Sequence, residues 1–152
     1  MIYIAADHGG FSLKQKIIEY FKNKTGLDIE DLGAYEHNPH DDYPDFVIPA
    51  IEKLSKNPGS LGIVICKNGV GVSILANKFR DVRAALSWTP KQAESSRADD
   101  DSNVLALPAS YISDKEAIEI VDIWLKTKFS SDERHLRRLE KIRSVYDCTN
   151  HS

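Results

Sequence analysis

Apolar residues follow two rhythms along this chain: short unbroken runs, and longer stretches in which they recur every three or four positions. Residues 1–6, MIYIAA, form a run of the first kind and predict a strand that ends at Asp7, His8, Gly9 and Gly10. Residues 11–24 follow the second rhythm, with Phe11, Leu13, Ile17, Ile18 and Phe21 on one face, and the helix stops at Lys22, Lys24 and Gly26. A second strand is expected over 27–32, then a polar loop over 33–43 that carries His37 and His40. After Pro44, residues 45–56 read as a helix with Phe46, Ile48, Ile51 and Leu54 inward, closed by Asn57, Pro58 and Gly59. Leu61 to Ile65 is apolar and β-branched apart from Gly62, too short for a helix, and predicts a strand buried on both faces that ends at Cys66. Val72, Leu75, Ala76 and Phe79 then recur at helical spacing over about 72–78. A fourth strand is expected over 82–87, a helix over 89–97, the acidic run Asp99, Asp100, Asp101, a fifth strand over 103–108, and a helix over 116–128 with Ile118, Val121, Ile123, Trp124 and Leu125 along its face. From 130 to 146, Arg134, Arg137, Arg138, Lys141 and Arg143 interleave with Leu136, Leu139 and Ile142, the pattern of an amphipathic helix with one basic face.

Strands that alternate with helices over a whole chain predict a parallel sheet covered on both sides. In such sheets ligands sit beyond the carboxyl ends of the strands. Asp7 with His8, Cys66 with its loop, and Ser87 all fall at such ends and can converge although far apart in sequence. Cys66 holds the most suggestive position, because Lys67, Asn68, Gly69, Val70 and Gly71 carry the chain from a strand into a helix. A helix start presents unpaired N–H groups and partial positive charge, which favour a thiolate. Glycines let the loop backbone approach a ligand and turn several N–H groups toward one point. A nucleophile or base beside an anion hole is one outcome; a buried structural cysteine with glycines serving only the turn fits the same residues.

Composition narrows the classes. A chain of 152 residues supports one domain over 1–152, with no linker-like tract and a frayed tail from about 147. A formal charge of -3 leaves no basic footprint for a nucleic-acid partner. No apolar run is long enough to span a membrane, and MIYIAADHGG lacks the charged start of a signal peptide, so a cytoplasmic location with no membrane partner is expected. Cys66 and Cys148 make no disulfide framework and no zinc motif, so both thiols are expected to be reduced. His40 with Asp41 and Asp42 lacks metal-ligand spacing, and His37, His40 and His151 read as solvated side chains; no metal site is expected.

Five stretches together carry a family resemblance: ADHGGFSLK, DDYPDF, GIVICKNGVGVSILANK, RADDDSNVLAL and ERHLRRLEKI. In this order and spacing, nearly end to end, the chain resembles ribose-5-phosphate isomerase B and the related galactose-6-phosphate isomerase subunits. The resemblance implies an α/β fold, a three-layer αβα sandwich of Rossmann-like or flavodoxin-like type with a five-stranded parallel sheet. It also implies a homodimer, possibly a tetramer, with sites at the interface and a C-terminal helix that reaches the partner. The implied activity is aldose-ketose isomerisation of a sugar phosphate, most of all ribose 5-phosphate and ribulose 5-phosphate, through a cis-enediol with no cofactor. Cys66 then matches the base that moves a proton between C2 and C1. The loop with Lys67, Asn68, Gly69 and Gly71 matches the hole for the enediolate oxygen, Asn68 counting among the catalytic positions. Asp7 and Tyr43 match residues that contact the sugar; His8, Arg134 and Arg138 match phosphate ligands, with His135 in the same motif.

Departures from the family pattern keep alternatives open. Asp99 stands where many members have a ring-opening histidine, and a carboxylate cannot donate a proton as an imidazolium does. Asp100 replaces an asparagine that hydrogen-bonds substrate, an exchange of a donor and acceptor for a charged acceptor. Asp101 reads as a cap in solvent. Lys67 and Asn68 replace a glycine and a threonine of the loop, and Ser110 stands where members place a further phosphate arginine. A different sugar phosphate, or a non-catalytic partner subunit with the same fold, would each account for these changes.

Overall fold

The computed structural model describes residues 1–149 and shows five strands and six helices in strict alternation until the last two helices. The order is β1 (Ile2–Ala6), α1 (Phe11–Thr25), β2 (Ile29–Asp31), α2 (Pro44–Lys56), β3 (Leu61–Cys66), α3 (Val70–Ala76), β4 (Ala84–Leu86), α4 (Pro90–Asp100), β5 (Val104–Pro108), α5 (Asp114–Lys126) and α6 (Glu133–Thr149). All strands pair in parallel in the order β2-β1-β3-β5-β4.

That order dictates the layers. Parallel crossovers are right-handed, so connections that step in opposite directions across the sheet leave their helices on opposite faces. The steps β1 to β2 and β4 to β5 go one way, and α1 and α4 lie together with α5 over one face. The steps β2 to β3 and β3 to β4 go the other way, and α2 and α3 cover the second face. The two cores follow: Ile4, Ile17, Phe21, Ile63, Leu105, Ile120 and Trp124 pack on the first face, and Val47, Ile51, Val64, Val72 and Ala106 on the second. Every residue of β1 and β5 is buried, as the unbroken apolar runs require. Trp124 is fully buried, and its indole N–H donates to Ser102 Oγ at 2.8 Å, which in turn bonds Ser96 Oγ.

Several expected faces and boundaries shift. In α2 the buried stripe is Val47, Ala50, Ile51 and Leu54, whereas Ile48, expected inward, is exposed and Phe46 is half-buried. The true stripe starts one residue off the expected one because 47, 50, 51 and 54 already fill one helical face. In α5 the inward residues are Ala117, Ile120, Val121 and Trp124, with Ile118, Ile123 and Leu125 at the flanks. This helix begins at Asp114, where Ser113 and Glu116 form a capping box, and ends at Lys126 rather than 128. Lys14 is fully buried on α1: it sits three residues from both Phe11 and Ile17, so helix geometry carries it inward whatever its charge. Its ammonium reaches Asp31 Oδ1 at 2.5 Å and Ala34 O at 2.6 Å, which satisfies the buried cation. Burial pulls the Lys14 pKa down, and Asp31 opposes that shift.

Helix α4 runs through the first two acidic residues to Asp100, with Asp101 in the left-handed C-cap conformation. Carboxylates at a helix C-terminus oppose its dipole. Asp101 is answered by Arg83 at 2.8 Å and Arg97 at 3.2 Å; it is a cap, as expected, but an ion-paired one. Helix α6 extends past residue 146 to Thr149. The side chain of Cys148 and the whole of His151 lie outside the described residues.

Candidate active site

The strand order reverses between β1 and β3: the chain leaves β1 toward β2 and leaves β3 toward β4. A crevice opens at such a switch point, beyond the carboxyl ends of the two strands. Ala6 pairs with Ile65, so Asp7 and Cys66 follow side by side at that edge. The loop after β1 packs directly on the loop after β3, since a Cβ on Gly9 would stand 3.1 Å from Lys67 N and Cβ. Gly10 is closer still, where a Cβ would lie 2.7 Å from Ile65 O. Two glycines in succession are what let α1 start against β3.

Cys66 is buried at the base of this crevice. Its Sγ accepts the Gly69 N–H at 3.2 Å and lies 3.7 Å from Asn68 Oδ1. Asn68 Oδ1 also takes the Val70 N–H at 3.0 Å, so Asn68 braces the turn as well as facing the sulfur. Gly69 has φ of 72° and is packed so tightly that a Cβ would come within 2.5 Å of Leu86 Cδ1. Gly71 and Val72 add further first-turn N–H groups that no intrahelical carbonyl reaches. Helix α3 starts at Val70, two residues before the expected 72, which places these groups nearer the thiol.

Asp7 is nearly buried, and its Oδ1 accepts from Gly9 N at 2.9 Å and Gly10 N at 3.2 Å. Burial raises the pKa of its carboxyl, against the lowering effect of those backbone donors and of His8. Tyr43 stands at the start of α2 with its ring against Gly71, where a Cβ would lie 2.8 Å from the phenol oxygen. Lys67 is exposed. Beyond β5, Ala109 N donates to Cys66 O at 3.0 Å and Ser110 N to Lys67 O at 2.9 Å, so Ser110 adjoins the same loop. Ser87 is at the same edge but directly after β4, two strands from β3, with its hydroxyl buried and without a hydrogen-bond partner among the described residues. A cleft of about 450 Å³ lined by Asn68, Val70, Trp88 and Tyr111 opens between these loops.

The structure brings Asp7, His8, Tyr43, Cys66, Lys67, Asn68, Gly69 and Gly71 to one edge. It places Asp99, Asp100, Arg134, His135 and Arg138 at the other. Asp99 and Asp100 close α4 just before β5 begins, and Asn103 N bonds Arg83 O at the start of β4, which marks the amino edge of the sheet. His135 is buried, with Nδ1 bonded to Ser130 Oγ at 2.8 Å and Nε2 3.8 Å from Asp99 Oδ1. Arg134 and Arg138 are exposed on α6 and form no ion pair among the described residues. The length of β5, roughly 13 Å at about 3.3 Å per step, separates the two groups.

One residue of the site lies outside the expected set. Asp41 Oδ1 accepts both the backbone N–H of His8 at 2.9 Å and His8 Nδ1 at 2.6 Å. The only signal in the sequence was its place at the head of DDYPDF, two residues before Tyr43. Among the described residues no cluster of side chains suits a metal ion, and no helix is long and apolar enough to cross a membrane.

Comparison with known proteins identifies relatives along nearly the whole chain. The model of the family described as Ribose/Galactose Isomerase matches residues 2–142. The probable ribose-5-phosphate isomerase B of Mycoplasma genitalium is 44% identical over 93% of this chain and 92% of its own. Ribose-5-phosphate isomerase B of Mycobacterium tuberculosis is 38% identical over 97% of this chain and 90% of its own. A crystal structure of the Mycoplasma genitalium enzyme with bound ribulose 5-phosphate superposes with a TM-score of 0.91 at 43% identity, covering 96% of this chain and 95% of that one. The type B enzyme of Trypanosoma brucei gives 0.89 at 31% identity over 95% and 97%. With its thiol and glycine loop at the switch point of a parallel five-stranded sheet, this chain belongs to the ribose/galactose isomerase family.

Proposed function

We propose that this protein is an aldose-ketose isomerase that interconverts ribose 5-phosphate and ribulose 5-phosphate. The observation that carries the reading is the sulfur of Cys66 at the base of the crevice, held by Gly69 N–H beside the Asp7 carboxyl. Cys66 takes the proton from C2 of the open-chain aldose, the thiol exchanges with solvent in the enediol state, and Cys66 then delivers a proton to C1; the O2 proton moves to O1, and the atoms balance without a redox partner. The first-turn backbone N–H groups of Gly71 and Val72, which no intrahelical carbonyl takes, stabilise the enediolate oxygen, where charge develops in the transition state. Asp7 and Tyr43 hold the sugar hydroxyls, and His8 meets the phosphate.

The remaining groups come from a second copy. Asp99 and Asp100 cannot cross the length of β5 to reach Cys66 in their own chain, whereas a facing copy presents its amino edge to this crevice. Exposed Leu136 and Ile142 on α6 supply the apolar contact that such a homodimer needs, and Arg134 and Arg138 lie on the same helix, free to reach the phosphate. His135, buried in its own chain, orients Asp99 rather than touching the substrate. As the sugar ring opens, Asp99 accepts the O1 hydroxyl proton while the bond from C1 to the ring oxygen breaks, and the carboxyl so formed gives that proton to the ring oxygen.

Turnover of ribose 5-phosphate measured beside galactose 6-phosphate and allose 6-phosphate tests the substrate. The pentose should be preferred by kcat/KM; a hexose phosphate turned over equally well or better would reassign it.

A further inference from the structure

We propose that Asp41 is a positioning residue for His8, fixing the imidazole so that Nε2–H faces a phosphate oxygen of the substrate. This rests on the isomerase reading above for the identity of the substrate, but the contacts are in the fold itself. Asp41 comes from the loop before α2, His8 from the loop after β1, and one carboxylate oxygen grips both the backbone and the ring of the same residue. The side chain of Asp41 is only 8% exposed, against 37% for His8, so the anchor is inside and the ring points out. Asp41 N is itself tied to Asn38 O at 3.1 Å, so the loop presents the carboxylate in a fixed turn.

The second oxygen, Oδ2, is buried and has no hydrogen-bond partner among the described residues. His8 is therefore the one group that answers this carboxylate, and a buried charge demands such an answer. With Nδ1–H committed to Asp41, Nε2 has no partner among the described residues, and an imidazolium there donates to an anion. The groups that face His8 are Asp7 on its own loop, Asp41, and His37 edge-on at 6.4 Å; the adjoining loop brings the charged Lys67 against the next residue, Gly9. The Asp41 hydrogen bond is the largest influence on the ring and raises its pKa; partial burial opposes it and the Asp7 charge adds to it. The cation thus persists to higher pH than in an ordinary histidine, and is lost as pH rises through the raised value.

The test is NMR titration of the His8 ring in the full chain and in Asp41→Asn, with inorganic phosphate as the probe, alongside KM against pH. In Asp41→Asn the His8 midpoint should fall toward the ordinary histidine range, with KM about tenfold above the parent near pH 8 and within about twofold of it near pH 6. His8→Gln, which removes the titrating ring but keeps the backbone N–H on the Asp41 carboxylate and offers it an amide donor, should weaken phosphate binding and abolish its pH dependence over the same range. An unchanged His8 midpoint in Asp41→Asn, a KM rise equal at every pH, or parental phosphate binding by His8→Gln would each overturn the inference. Should the chain isomerise no pentose phosphate, the titration and the phosphate arm still decide the role of Asp41.

Discussion

Arg134 and Arg138 stand four residues apart on one face of α6, exposed and unpaired among the described residues, which suits two guanidinium groups that bind one phosphate. The phosphate does not react, so its binding is felt equally by substrate and transition state. Arg138→Ala is therefore expected to raise KM for ribose 5-phosphate about tenfold or more while kcat changes little, as steady-state kinetics would show. A drop in kcat at constant KM would place the residue at the reacting carbons instead. Single residues were unevenly legible in the sequence. Cys66, Asp7 and His8 announce themselves because each ends an apolar strand, and strand ends are where such sheets bind ligands. Asp41 does not, since its partner lies 33 positions away and a loop aspartate carries no local mark of burial. Lys14 was hidden by its own chemistry: its spacing places it inward, but a lysine in a polar helix reads as solvent-facing.

The elements depend on close approach at a few glycines. At Gly10 a methyl group would meet the carbonyl of Ile65, a backbone atom in the central strand that cannot move aside. Gly10→Ala should lower the unfolding free energy by about 1–3 kcal/mol, the usual range for overpacking, measured as a shift in the urea midpoint. An unchanged midpoint would show that α1 can lift from β3 at no cost. Element types and order were legible, from runs of five or six apolar residues at β1, β3 and β5 and from helical stripes, whereas β2 and β4, expected over 27–32 and 82–87, shorten to Ile29–Asp31 and Ala84–Leu86. The ends and faces were less so. Helix α4 continues to Asp100 because Asp101 can take the left-handed cap while Arg83 and Arg97 neutralise it, an arrangement set by residues before the helix and within it. The face of α2 moved by one position because Phe46 and Ile48 are apolar enough to mimic a stripe.

Across the whole molecule, the two groups of candidate site residues occupy opposite edges of one sheet. Sequence motifs showed both groups but not their separation, which follows from Asp99 and Cys66 standing at opposite ends of parallel strands. If two copies share each site, a mixture of Cys66→Ala and Arg138→Ala chains, each defective alone when ribose 5-phosphate is held well below the parental KM, should regain activity under that condition after joint refolding. Random pairing leaves one intact site in each mixed dimer, or about a quarter of parental activity. A mixture no better than its parts would mean that each chain works with its own residues. The central claim, proton transfer by Cys66 through an enediol, is most directly tested by following the C2 proton of ribose 5-phosphate by NMR in deuterated water. The parent protein should exchange that proton with solvent during turnover, and Cys66→Ala, folded and assembled as the parent, should not. Exchange that continues undiminished in Cys66→Ala, or is absent from the parent, would contradict the account.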